Sequence, residues 1–155
     1  MNKFIAHLTV CATVLGIGIA TPALAQESGA RPTFGSVSLD AGFLPDPHRV
    51  QITAGGTIDA SQSRGGTCVG KIASAPDYNL TYQAGSAALV IKVASNADTT
   101  LVVNSADGRW YCNDDADGMN PGMKISNPSS GVYEIWVGTY GDDPVSATIF
   151  ISEAY

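Results

Sequence analysis

The sequence predicts an all-β protein, a single-domain, jelly-roll-like β-sandwich closed by one disulfide. Three observations carry this. Short runs alternate apolar and polar residues, Gly, Pro, Asn and Asp stand between them at close spacing, and no later window carries apolar residues at i, i+3, i+4 and i+7.

Residues 1–25 read as a secretory signal, with Lys3 as the positive start, an apolar run over residues 8–20 and the small-residue cleavage site Ala23-Leu24-Ala25. The apolar run is short for a bilayer span of about 20 residues. A lipoprotein site at Cys11 is disfavoured because Val10 is not small. The mature chain then begins at Gln26 and is exported, to the periplasm or beyond. It divides into a flexible terminus over residues 26–34 and one sandwich over residues 35–155. No later segment is apolar enough to span a membrane.

The formal charge is -6, and loss of Lys3 with the signal makes the mature chain one unit more acidic. Nucleic-acid binding needs clustered Lys and Arg, so that class is excluded, and anionic membrane surfaces are disfavoured for the same reason. With Cys11 discarded, Cys68 and Cys112 remain in a chain bound for an oxidising compartment, where a disulfide is the natural outcome. A zinc site would want about four ligands, and His48 alone is left to join the two sulfurs.

Taken in order, residues 35–39 alternate, and Pro45 and Pro47 then break the chain into a turn or edge. Residues 49–53 form a period-two strand, Ile58 resumes extended structure, and residues 61–67 are a polar, glycine-rich break. Strands follow over residues 68–72, 78–82 and 89–93, the last with Leu89, Ile91 and Val93 on one face. Residues 99–103 and 110–113 read as a hairpin about the turn at residues 105–108. A short strand covers residues 123–126. The strongest covers residues 132–137, with Tyr133, Ile135 and Val137 on one face. The last covers residues 145–152, with Ala147, Ile149 and Ile151 together. The aromatic residues of these strands read as packing rather than a ligand platform.

A site is expected at the open end of the hairpin. A register centred on Ala106 sets Asp98 opposite Asp114, with Asp115 and Asp117 in the loop beyond. The chain then leaves along residues 123–126 and returns to the same end with Asp142 and Asp143. Lys124 is expected as the only positive charge near this end in sequence. Carboxylates so gathered repel unless solvated, protonated or bridged by a cation. The expected metal set is Asp98, Asn113, Asp114, Asp115, Asp117, Asp142 and Asp143, with Ca²⁺ as the cation because it takes six to eight oxygens. Asn113, Asp115 and Asp117 also match the first half of a calcium loop, but Lys124 stands where the bidentate Glu would be, which rejects an EF-hand. The competing view is that Asp, Asn and Gly are simply good turn residues on a solvated rim.

The second half of the chain resembles a bacterial pre-peptidase C-terminal domain, the β-sandwich appended to many secreted proteases. The residues that carry this are Asp98, Leu101, Val103, Gly108, Asp114, Asp115, Gly131, Tyr133, Ile135 and Val137, within residues 89–152. The resemblance implies a jelly-roll-like sandwich, in some relatives with calcium, acting as an accessory or binding module. This chain departs from that setting in carrying no protease domain.

For catalysis, His48 is the sole histidine base after the signal, flanked by Pro47 and Arg49, and no Gly-x-Ser-x-Gly motif exists. The expected function is an exported, non-catalytic module, calcium-stabilised, that binds a protein, polysaccharide or cell-surface component. Self-assembly through edge strands is the structural alternative. A hydrolase or protease-associated accessory role ranks third.

Overall fold

In the computed structural model, residues 27–64 and 68–154 are described. The signal, Cys11 and part of the break at residues 61–67 lie outside them. Eleven strands form among the described residues: β1 (Ser36–Asp40), β2 (His48–Ala54), β3 (Ile58–Asp59), β4 (Lys71–Ile72), β5 (Tyr78–Gln83), β6 (Leu89–Ser95), β7 (Thr99–Asn104), β8 (Trp110–Asn113), β9 (Gly122–Ile125), β10 (Gly131–Thr139) and β11 (Val145–Ser152). The fold class expected from the sequence is the one observed: two sheets face to face, with one disulfide joining Cys68 and Cys112.

The larger sheet is built around β10. On one side it pairs with β7, and β7 with β8; on the other it pairs first with β5 and then with β4. β1 adds to β5 in parallel, and β3 pairs with β4. The smaller sheet runs β2, β11, β6, β9, all antiparallel.

Period-two alternation places Leu80, Leu101, Val103, Tyr133, Ile135 and Val137 of the larger sheet against Ile91, Val93, Ile149 and Ile151 of the smaller one. All are buried in one core.

The outer face of the larger sheet is also covered. The segment after β2 contributes Ile58, Ala60, Cys68 and Ile72, which pack on Val102 and Trp136 as a second core, with Trp110 and Cys112 at its margin. The Trp136 ring is fully buried and lies 5.4 Å from that of Trp110. The disulfide, with Cα atoms 5.2 Å apart, fastens this cladding to β8. A close approach is needed where β4 meets β10. A Cβ on Gly138 would stand 2.6 Å from Thr100 Oγ1 and 2.7 Å from Lys71 O, so only glycine fits.

Three local features differ from expectation. Ala60–Arg64 form a short helix, α1, inside the predicted break. Asp59 starts it by accepting hydrogen bonds from Ser61 N and Ser61 Oγ at 2.9 and 2.7 Å, and five residues are too few to show a helical period. The strand expected over residues 68–72 is reduced to β4, because Cys68 is held by the disulfide and Gly70 takes a φ of 84°. Residues 27–34, assigned to the flexible terminus, hydrogen-bond along the segment before β5: Glu27 N to Ser74 O, Thr33 N to Pro76 O and Phe34 N to Asp77 O.

Asp77 fills a gap in the larger sheet. β5 pairs with β10 as far as Tyr78 opposite Ile135, and β4 pairs only at Thr139. Between them Asp77 N donates to Ile135 O at 2.8 Å, and its Oδ2 accepts from Val137 N at 2.7 Å. A side chain thus takes the ladder position where the neighbouring backbone has turned away.

Candidate functional site

The hairpin forms, but with a different register. Leu101 faces Asn113, Val102 faces Cys112 and Asn104 faces Trp110, so the centre lies at residue 107 rather than at Ala106. Asp98 is therefore not opposite Asp114. A register centred on Ala106 would put a three-residue loop at residues 105–107, whereas Gly108, with a φ of 79°, closes it over residues 106–108. Ser105 O accepts from Gly108 N and Ser105 N donates to Arg109 O, which fixes that loop. The slip is two residues of one strand against the other, so every side chain keeps its face.

At the opposite end of the hairpin, three loops meet at residues 96–98, 114–121 and 140–144. Backbone bonds tie them together: Tyr140 N to Asp98 O at 3.4 Å, and Thr99 N to Met119 O at 3.2 Å. Ser95 N also donates to Asn120 Oδ1 at 2.8 Å. Tyr140 is the centre of this rim. Its hydroxyl donates to Asp114 Oδ2 at 2.9 Å, and its pKa is raised, first by that bond and then by desolvation and the charges of Asp114, Asp98 and Asp115.

The other expected ligands are not among the groups that shift Tyr140. Asp142 is held by Lys71 of β4, which lowers the Asp142 pKa and raises that of Lys71. Lys71 is brought to this end by β4, which pairs with β10 at Thr139. Asn113 Oδ1 accepts from Gly122 N at 2.8 Å. Asp117 closes a tight turn with Asn120, and Asp143 is exposed. Among the described residues, no three His, Cys, Asp or Glu side chains are placed together to hold a metal. One polar atom at the rim is nevertheless unpaired: Asp98 Oδ1 is buried without a hydrogen-bond partner.

Two exposed apolar side chains flank the acids. Tyr140 is 51% exposed and Met119 54%, each in a loop that reaches residues 98–99. Neither was singled out from the sequence; Tyr140 sits in a Gly- and Asp-rich loop that reads as a turn. Asp77 was missed too, because Pro76-Asp77 has the composition of a turn and its burial comes from β10, far along the chain. Burial raises the Asp77 pKa to about 7. His48 lies on β2, with its Nε2 3.1 Å from the Tyr78 hydroxyl.

Fold and surface define a β-sandwich module with loops gathered at one end. No protein-family model and no curated protein sequence matches the chain. Among solved structures it is similar to the pre-peptidase C-terminal domain of a collagenase from Bacillus anthracis, at 12% identity and a TM-score of 0.46, over 76% of this chain and 94% of that one. It is also similar to PliG of Aeromonas hydrophila, a periplasmic lysozyme inhibitor of g-type lysozyme. That likeness has 15% identity and a TM-score of 0.39, over 76% of this chain and 96% of that one. The first of these is a domain of the kind that residues 89–152 resemble in sequence.

Proposed function

We propose that this chain is an exported, non-catalytic binding module that takes a cationic protein surface on the rim of residues 96–98, 114–121 and 140–144. The observation that carries this reading is Tyr140: half exposed, held on Asp114, and set among the charges of Asp98 and Asp115 with exposed Met119 in the adjoining loop. Tyr and Met are enriched in the centres of protein interfaces, and an anionic rim steers a cationic partner. Export is supported by the signal-like residues 1–25 and by a disulfide of the kind that persists in oxidising compartments. The experiment is affinity capture from the exported fraction of the source cells. Wild type is compared with Tyr140→Ala and with Asp114→Asn/Asp115→Asn. A salt-sensitive partner held by wild type and lost by both variants is expected; identical captured sets would remove the proposal.

Calcium is a separable part of the same reading. Asp98 Oδ1 is buried and unpaired, and Asp98, Asp114 and Asp115 are the donors a hard cation would draw on. Asn113 and Asp142 are already engaged by Gly122 and Lys71. A ligand selective for the folded state raises the unfolding midpoint. The midpoint in excess Ca²⁺ should exceed that in chelator, and equal midpoints would remove calcium while leaving the protein partner standing.

Self-assembly is favoured by one feature: β2, seven residues long, pairs with β11 and, among the described residues, is the edge strand of the smaller sheet. Light scattering across a concentration series tests it, since a constant monomer mass would exclude it.

A further inference from the structure

Residues 27–34 lie along the larger sheet at the point where its backbone ladder is broken. Their bonds to the sandwich run to one short stretch, from Glu27 N to Ser74 O, Thr33 N to Pro76 O and Phe34 N to Asp77 O. One more reaches β10 itself, from Gly29 N to Glu134 Oε1 at 2.5 Å. Every residue of the segment is half-buried or exposed, and Phe34 alone is packed on the main core. A segment held by so few contacts opens far more readily than the sheets beneath it.

The segment ends on Asp77, which is tied on both sides. Its carbonyl accepts from Phe34 N at 2.8 Å, and its Oδ2 accepts from Val137 N at 2.7 Å. The carboxyl is therefore buried in the gap of the ladder, and burial raises its pKa to about 7 while the Val137 N–H opposes the rise.

No cation offsets an ionised Asp77. Tyr78, next in the chain, has its hydroxyl on His48 Nε2 of β2, and Glu134 of β10 is held by Gly29 N and Asn104 Nδ2. Lys71 of β4 is turned to Asp142, and residues 54–58, which reach Val137 O through Gly55 N, carry no charge. Residues 27–34 themselves bring Glu27 and Arg31. Among the described residues no salt bridge reaches Asp77. Water is the remedy left for a charge at this position, and the segment with the fewest ties is the one whose movement admits it.

We propose that residues 27–34 form a pH-operated latch, closed over residues 74–77 while Asp77 is protonated and opening as it ionises. Opening breaks the bonds to Ser74, Pro76 and Asp77 and frees Glu134 from Gly29. The closed form holds the proton more tightly than the open form, so closure is favoured at low pH and weakens as pH rises. Opening should become about tenfold more frequent per pH unit and level off above the Asp77 midpoint, about a hundredfold in all from pH 5 to pH 8. The latch is distinct from the acidic rim and does not depend on the function proposed there.

The test is amide hydrogen exchange of the mature protein between pH 5 and pH 8, corrected for the intrinsic chemical rate and read at Glu27, Thr33 and Phe34. A carboxyl carbon NMR titration locates the Asp77 midpoint in the same protein. Protection at the three amides should fall about a hundredfold and flatten at that midpoint. Asp77→Asn keeps an acceptor for Val137 N and should show no such fall. Ile149 and Ile151 of β11 report global unfolding and should stay better protected than the latch at every pH. Protection independent of pH in wild type would overturn the proposal. So would a fall that ignores the Asp77 midpoint, or latch amides that exchange only as fast as those of β11, and these readings stand even if Asp77→Asn folds poorly.

Discussion

Asp77→Asn tests the buried carboxyl directly. In the folded chain Asp77 is 2% exposed and burial lifts its pKa from 3.8 to about 7. Between those values the native state holds a proton that the unfolded chain releases, so stability falls as pH rises through this window. The separation of about three units corresponds to roughly 4 kcal/mol, of which about 3 kcal/mol falls between pH 5 and pH 8. Asparagine keeps an oxygen to accept the Val137 N–H and carries no titrating proton. Urea denaturation of both proteins at pH 5, 6, 7 and 8 provides the assay. The stability of Asp77→Asn relative to wild type should climb by about 3 kcal/mol from pH 5 to pH 8. Taking the difference cancels the carboxylates with lowered pKa, Asp59, Asp107 and Asp142, whose contributions run the other way and are lost toward low pH. A difference that stays flat across this range would refute a buried, proton-bearing Asp77.

Replacing both cysteines, Cys68→Ala/Cys112→Ala, should lower stability by about 4 kcal/mol in the loop-entropy model, read as the denaturation midpoint without reductant. Reductant should bring wild type toward the variant. Gly108→Ala should cost about 1 kcal/mol, because the φ of 79° strains any L side chain while the space around the added Cβ is empty. Amide exchange at Trp110 and Tyr111 should show the hairpin loosening first. Trp136→Ala should cost about 4 kcal/mol, since it empties the middle of the second core; a loss under 1 kcal/mol would mean that the cladding contributes little.

Most strands were legible because each buries one face, and period-two alternation survives in the sequence whatever a strand pairs with. The 145–152 strand shows this: Ala147, Ile149 and Ile151 face inward, and its bounds agree with the expected ones. The register of the hairpin was not legible, since it depends on the backbone angle of Gly108, and a glycine is compatible with either loop. The second core was hidden for another reason. Val102 and Trp136 occupy positions that alternation assigns to solvent, and only the cladding from residues 58–72 makes them interior. At the rim, sequence spacing brought the right loops to one end but missed Lys71, which reaches Asp142 from 71 residues earlier in the chain.

The way residues 27–34 are strapped down sets how this module can be mounted. Glu27 N binds Ser74 O, the same carbonyl that accepts from Trp136 Nε1, so the chain enters on the clad side of the sandwich. Ala154, at the other terminus, lines the cavity beside Phe150. A tether that joins the module at Glu27 therefore meets it on the clad side. A tag that follows Ala154 adjoins this cavity, so immobilisation from the two ends should not be equivalent.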